Sequence, residues 1–435
     1  MNTKLECACL LIFVLASGGA LGSSGPDSGH LDELTLADAV ARTARDNPTL
    51  AEMQARYQAM AAIASQVGTR PDPMLSINAL NFPTDTFKFG QEAMTQLQLG
   101  VTQVFPFPGK LALREAASAF EADAARSSIA ETRLRLIKDV RTSWWSLYYL
   151  DRAMEIVQRN QELLRQFVQI AKTKYEVGDG IQQDVLLAQL ELSKLLDQEI
   201  QLAGVRRGEA ARLNRFLDAP ANAALRLPRS VSRVLPELAS EDELFARAQE
   251  LRPRLEVKRN EISAARSRLD LARKDYYPDF TLGAAYGARS GDNPVATGGA
   301  RSDLFSLRVS INLPIYQTRK RAQAVNQRRS ELDRERYSLR DEVNAIRAEI
   351  STAAADYRQA REQLSLFETG IVPQARQTVE SMLAGYQVSE VDFLNLVRSQ
   401  VTLYNYETLS WRALTMANQA RARLQAAVGE ENLGE

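Results

Sequence analysis

Two stretches of the 435-residue chain set polar and charged side chains at matched distances from a tyrosine. In the first, Y-E-V-G-D-G-I-Q-Q-D-V-L-L-A-Q from Tyr175 to Gln189, Asp184 follows the tyrosine by nine residues. In the second, Y-Q-V-S-E-V-D-F-L-N-L-V-R-S-Q from Tyr386 to Gln400, Asn395 takes the same place and Arg398 follows. The chemistry open to this set is cation binding and hydrogen bonding by a carboxylate and an amide, with an arginine to pair against the acid. The blander reading of Asp184 is a solvated helix-start aspartate near the positive end of the helix dipole.

Other chemistry finds little support. His30 is the only histidine, both cysteines (Cys7 and Cys9) lie in the first ten residues, and the eight methionines are scattered. There is no histidine-based triad, Walker loop or dinucleotide fingerprint, and no spacing singles out the acid pair that a carboxylate-based hydrolase needs. The chain therefore reads as a non-enzyme with no cofactor and no metal centre. With 54 basic and 54 acidic side chains it has no net pull toward nucleic acid.

The elements that carry these residues are long. Lys110 to Val177 holds neither Gly nor Pro, and apolar residues recur at helical steps (Ile137, Val140, Trp144, Leu147, Tyr148). A helix of that length extends roughly 100 Å, too far for a compact globule. Ile315 to Thr369 and Tyr386 to Val428 are likewise uninterrupted, with Gly370 and Pro373 between them. That break is expected to kink the helix rather than end it. Trp144, Trp145, Tyr148 and Tyr149 are expected to pack between helices.

Strands are expected where Phe305, Leu307, Val309, Ile311 and Leu313 alternate with Ser306, Arg308, Ser310 and Asn312. A second alternation sets Leu97, Leu99 and Val101 against polar or small neighbours, with shorter runs at Leu75–Asn78 and Phe280–Gly283. One apolar and one polar face, over about 9 to 11 residues, fits a membrane barrel; a sheet half-buried in a soluble domain fits the pattern alone equally well. The connections Pro83–Ala93 and Gly287–Asp303 have the length of outward loops. Four strands cannot close a barrel, which takes about eight, so several copies would be needed.

The N-terminal run from Lys4 through Leu10-Leu11-Ile12-Phe13-Val14-Leu15 reads as a secretory signal cleaved near Gly22, and no later segment reaches the roughly 20 apolar residues of a spanning helix. The chain also repeats itself. Leu34–Leu50 resembles Ser240–Leu255, Pro73 follows Pro48 by the interval that separates Pro278 from Pro253, and the two tyrosine stretches align without a gap. The expected division is a signal at 1–22, a first repeat at 31–222, a linker at 223–239, a second repeat at 240–429 and a tail at 430–435.

R-P-D-P-M-L from Arg70, V-F-P-F-P-G-K from Val104, Y-Y-P-D-F from Tyr276 and the paired Tyr-x-Val stretches resemble the TolC-like outer-membrane efflux proteins over nearly the whole chain. The first two motifs are most similar to the branch serving heavy-metal cation pumps. The resemblance implies an α+β membrane protein: a homotrimer in the cell outer membrane, giving four strands per protomer to a twelve-stranded β-barrel continuous with a long α-helical periplasmic barrel. It implies a periplasmic adaptor and an inner-membrane transporter of the resistance-nodulation-division type as partners, with outer-membrane lipid around the barrel. The chain would then be the passive exit duct of a tripartite efflux system. The main alternative is a soluble exported coiled-coil scaffold.

By the same resemblance Asp184, Asn395 and Arg398 lie at the periplasmic gate, where threefold symmetry turns Asp184 into a ring of carboxylates. The first repeat then supplies the acid, and the second an amide and a base. Val177, Gly178, Asp179, Val388, Ser389 and Glu390 fall in the tip turns that meet the adaptor, with structural turns as the plainer reading. Gly178 and Gly180 suit a tight turn, and the second turn has no glycine to match. Phe82, Phe105, Phe107, Tyr276, Tyr277 and Tyr316 flank the strands as an aromatic girdle or as ordinary packing. Arg319, Lys320 and Arg321 could meet lipid headgroups or simply be solvated.

Overall fold

The computed structural model describes residues 33–293, 295–296 and 298–432; the signal at 1–22, Cys7, Cys9 and His30 lie outside the described residues. Helix α1 (Leu36–Asp46) and helix α2 (Pro48–Gly68) lead into strands β1 (Met74–Leu80) and β2 (Gln96–Phe105). Two long helices follow, α3 (Lys110–Glu176) and α4 (Gln182–Phe216). The order then recurs with α5 (Glu241–Leu251), α6 (Pro253–Lys274), β3 (Phe280–Ala288), β4 (Leu304–Ile311), α7 (Ala322–Leu366), α8 (Val372–Gln387) and α9 (Phe393–Val428). Residues 223–239 carry no helix or strand, and their apolar side chains Leu225, Leu227, Val231 and Leu235 pack onto the helices.

The two early prolines open helices instead of interrupting them. Pro48 and Pro253 both stand in the first turn of a helix, where a missing N–H costs nothing because the first four amides of a helix have no internal partner. Thr35, Asn47 and Ser240 cap α1, α2 and α5 by accepting from Asp38, Thr49 and Glu243 backbone N–H groups. The later break behaves differently. Gly370 lies inside a π-helical segment, Phe367–Ile371, that joins α7 to α8 without leaving helical backbone. Pro373 cannot donate to residue 369, so the ladder widens by one residue and continues, and the Thr369 hydroxyl bonds the Ser365 carbonyl at 2.8 Å. A second π-helical segment, Gln317–Arg321, carries the Arg319-Lys320-Arg321 run.

The four strands form one antiparallel sheet in the order β1-β2-β3-β4. Pairing of Ile77 with Leu99, Leu99 with Tyr286 and Tyr286 with Phe305 sets these side chains in one row across the sheet, and Leu75, Val101, Ala284 and Leu307 form the next. The opposite face carries Ser76, Gly100, Ala285 and Ser306. The apolar face is bare: Leu75 is 67% exposed and Leu307 77%. The strands run to 7, 10, 9 and 8 residues, so β1 and β4 fall short of the expected span. Leu313 lies beyond β4, and Gly287 is still within β3, which shortens the glycine-rich connection. Arg289 and Arg301 tie that connection to the first one: Arg301 donates to the carbonyls of Gly90 and Glu92, and Arg289 to that of Ala93.

A buried lysine fixes the sheet to the helices. Lys110, at the start of α3, is 3% exposed and donates to Asp279 at 2.9 Å and to the Tyr277 carbonyl at 3.1 Å. Asp279 also accepts from the Phe107 backbone N–H, and Phe107 stacks on Tyr277 with ring centroids 4.5 Å apart. Farther along α3, Trp144 and Tyr148 are fully buried and stacked at 5.4 Å, with Trp144 donating to the Leu34 carbonyl. Burial of side chains this large supplies most of the stability of such a helix, at about 25 cal/mol per Å² of apolar surface. Tyr148 donates from its hydroxyl to the Arg229 carbonyl, which draws the irregular connection onto the same core.

Candidate functional site

The far ends of the long helices meet in two tight turns, α3 to α4 and α8 to α9. Helix α3 stops where Gly178 takes φ +84°, the left-handed conformation that glycine adopts without strain. Asp179 N–H then donates to the Lys174 carbonyl at 2.9 Å and Gly178 N–H to that of Tyr175 at 3.2 Å, the double closure of a Schellman motif. The second turn repeats both closing bonds. Glu390 N–H donates to Gly385 at 2.9 Å and Ser389 N–H to Tyr386 at 3.2 Å, with Ser389 in the left-handed position at φ +63°. The missing glycine is thus replaced by a serine held in a conformation that costs an L-residue about 1–2 kcal/mol.

Lys174 helps hold it there. Its ammonium, on α3, donates to the Tyr386 carbonyl at 2.7 Å and to the Ser389 hydroxyl at 2.9 Å, and lies 4.7 Å from the centre of the Tyr386 ring. A cation from the first turn therefore caps the carboxyl end of the helix that enters the second, where the helix dipole favours positive charge. Sequence reasoning passed over Lys174, because a lysine one residue before a tyrosine in a charged helix carries no distinguishing pattern. Tyr386 is buried on Phe393 at a ring distance of 5.1 Å, and its hydroxyl has no hydrogen-bond partner.

Asp184 is the third residue of α4 and Asn395 the third of α9, as the matched spacing requires. Asp184 is half-buried in a groove of about 650 Å³ between the turns, which it shares with Lys174, Tyr386 and Asp392. Burial pushes its carboxyl above the usual carboxylate range, the charge of Asp392 pushes it further, and Lys174 partly opposes both. A solvated aspartate at a helix start would shift the other way, so burial outweighs the dipole here. The reading in which only the first turn supplies an acid is corrected by Asp392, the residue just before α9.

Asn395 and Arg398 are exposed, and among the described residues no hydrogen bond or ion pair joins either of them to Asp184 within one chain. Val177 and Val388 are each 67% exposed at the two tips, and Gly178, Asp179, Ser389 and Glu390 are exposed beside them. Helix α4 also leaves apolar side chains bare: Leu186 and Leu190, which line the same groove, and farther along Ile200, at 72% exposure, and Val205. Among the described residues no group of three or more His, Cys, Asp or Glu could hold a metal ion, and no helix is long and apolar enough to cross a membrane.

Known proteins share this arrangement. The family model for outer membrane efflux proteins matches residues 40–218 and again 244–430. Protein CyaE of Bordetella pertussis is 24% identical over 348 residues, covering 77% of this chain and 72% of its own. Among solved structures, the outer-membrane channel OprN superposes with a TM-score of 0.76 at 17% identity, covering 91% of this chain and 89% of its own. The outer membrane protein VceC of Vibrio cholerae gives 0.75 at 17% identity over 91% of this chain and 96% of its own. With both halves of the chain matched, and the strand-and-long-helix architecture shared across almost its full length, the chain belongs to the outer membrane efflux protein family and is a TolC-like, non-enzymatic transport channel.

Proposed function

We propose that three copies of this chain form the exit duct of a tripartite efflux system in the outer membrane. The observation that carries the reading is the sheet: four strands with a bare apolar face and two unpaired edges, β1 and β4, standing above helices about 100 Å long. An apolar face of that kind is stable toward lipid, and open edges do not persist in a bilayer because every backbone group there needs a partner. Pairing β1 of one copy with β4 of the next closes twelve strands when three copies are used. The bare apolar side chains of α4 support side-by-side helices in the same assembly.

The helical part then extends through the periplasm and ends at the paired turns, where a periplasmic adaptor and an inner-membrane transporter of the resistance-nodulation-division type would engage it. We assign the adaptor contact to Val177, Gly178, Asp179, Val388, Ser389 and Glu390, and the gate to Asp184 with Asn395 and Arg398 of neighbouring copies. We read the recurring element order as two repeats, 31–222 and 240–429, joined by 223–239. For cargo, the likeness of the R-P-D-P-M-L and F-P-F-P-G-K motifs to the heavy-metal branch favours metal cations, as kinship rather than as contact, since Lys110 itself is buried against Asp279. Planar-bilayer recording on the purified protein tests the duct: discrete conductance steps are expected, and their absence from protein that fractionates with soluble periplasm would return the reading to a coiled-coil scaffold.

A further inference from the structure

The two halves of the chain build the same junction in different ways. In the first half the end of α4 meets the start of α2, and Asn47 closes the joint: its amide donates to the Phe216 carbonyl at 3.0 Å while its oxygen accepts from Thr49 N–H at 3.0 Å. In the second half the end of α9 meets the α5–α6 joint so closely that a Cβ on Gly429 would lie 2.8 Å from the backbone of Leu251, the last residue of α5. There the place of Asn47 is taken by Arg252, which makes no capping bond. A neutral amide performs the structural task, so the cation calls for another explanation.

Arg252 is more than nine-tenths buried, with 6% of its side chain exposed. One guanidinium nitrogen, Nη2, donates to Glu131 at 2.9 Å and lies 3.7 Å from Glu349, while Nε and Nη1 have no partner. It borders a half-open cavity of about 640 Å³ between α3, the start of α6, α7 and α9, whose lining also carries Glu131, Glu349, Lys138, Arg254 and Arg423. Arg135, at the rim, is exposed and forms no ion pair or hydrogen bond among the described residues. The walls include Ala345 and Ala348 of α7 and Ala426 of α9. Ile346 and Ile350 pack with Leu244 and Ala248 of α5 and do not line the cavity, whereas Ala353 and Ala427 belong to both.

We propose that this cavity binds an organic anion, a carboxylate or sulfonate with an apolar body, between Arg135 and Arg252. Guanidinium groups bind such oxyanions through paired N–H bonds, and the cavity lining sets Arg135, Arg252, Arg254 and Lys138 against only Glu131 and Glu349; Nε and Nη1 of Arg252 are closed off from solvent, so a side-chain shift of Arg252 accompanies binding. The alanine walls leave room for the apolar body. A cavity of this size is in the range of small-molecule sites, whereas an inorganic ion would fill a minor part of it. The site rests on packing within one chain and goes beyond the duct proposed above, so it survives or falls independently of trimer closure.

Calorimetric titration of the full-length protein in non-ionic micelles with naphthalene-2-sulfonate tests it. One saturable site per chain is expected, with affinity reduced at least tenfold in Arg135→Ala and no saturable binding in Arg252→Gln. Inorganic sulfate and neutral 2-naphthol are both expected to bind at least tenfold more weakly. Arg135 is exposed, so its substitution leaves folding intact and keeps the test valid if Arg252→Gln fails to fold. Equal affinity in Arg135→Ala, equal affinity for sulfate, or heat from micelle partitioning alone would overturn the proposal. None of these outcomes depends on conductance, so a chain that binds without conducting would sink the duct and keep the site.

Discussion

Asp184 and Lys174 define the chemistry at the residue scale. Because the folded-state pKa of Asp184 is raised, its ionised form is disfavoured by folding. The tip is therefore more stable with Asp184 protonated, an advantage fully present below the ordinary aspartate value and lost as pH rises through the elevated one. Hydrogen exchange of the turn amides should slow as pH falls across that window, after correction for intrinsic rates, and Asp184→Asn should remove the dependence. An unchanged profile in the variant would assign the titration elsewhere. Lys174→Met should weaken the tip by about 1–2 kcal/mol, since it removes two bonds from a charged donor at a partly exposed site. Limited proteolysis near Ser389 would report that loss. The gate assignment makes a separate claim: Asp184→Ala should raise conductance in planar bilayers, and unaltered conductance would reduce Asp184 to its local role.

Elements explain why some of this was legible and some was not. Helix lengths followed from the missing Gly and Pro, and the strands from alternation, because backbone preference and one-sided burial act along the sequence itself. The matched positions of Asp184 and Asn395 followed from spacing for the same reason. What escaped were contacts between distant segments: Lys174 with Ser389, 215 residues apart, and Asp392 with Asp184. Ser389 in the left-handed region escaped as well, since glycine is the usual signal for it and the stabilising lysine lies on another helix. The F-P-F-P-G-K motif proved structural, its lysine buried beneath the sheet. Lys110→Ala should cost about 1.5–3 kcal/mol by removing a charged donor from Asp279, which keeps only its bond from the Phe107 N–H, and thermal melting of the assembled protein would show it.

On the scale of the whole molecule, the bare sheet face and open strand edges demand partners that one chain does not supply. Leu307→Arg places a charge on the apolar face and should destabilise membrane insertion by about 2–4 kcal/mol per chain, whereas Ser306→Arg on the opposite face should be nearly neutral. Recovery of each variant from outer-membrane fractions would separate the two. The central claim is that β1 of one copy pairs with β4 of the next and that three copies close the ring. Within one chain these strands stand at opposite edges of the sheet, about 14 Å apart across three strand spacings, so a short cross-link between them forms between copies. Ser76→Cys combined with Ser306→Cys or Ser310→Cys, treated in membranes with a short bismaleimide, should give dimer and trimer bands and nothing larger. A ladder running past the trimer, or chains that stay monomeric while both cysteines react with a maleimide dye, would contradict it.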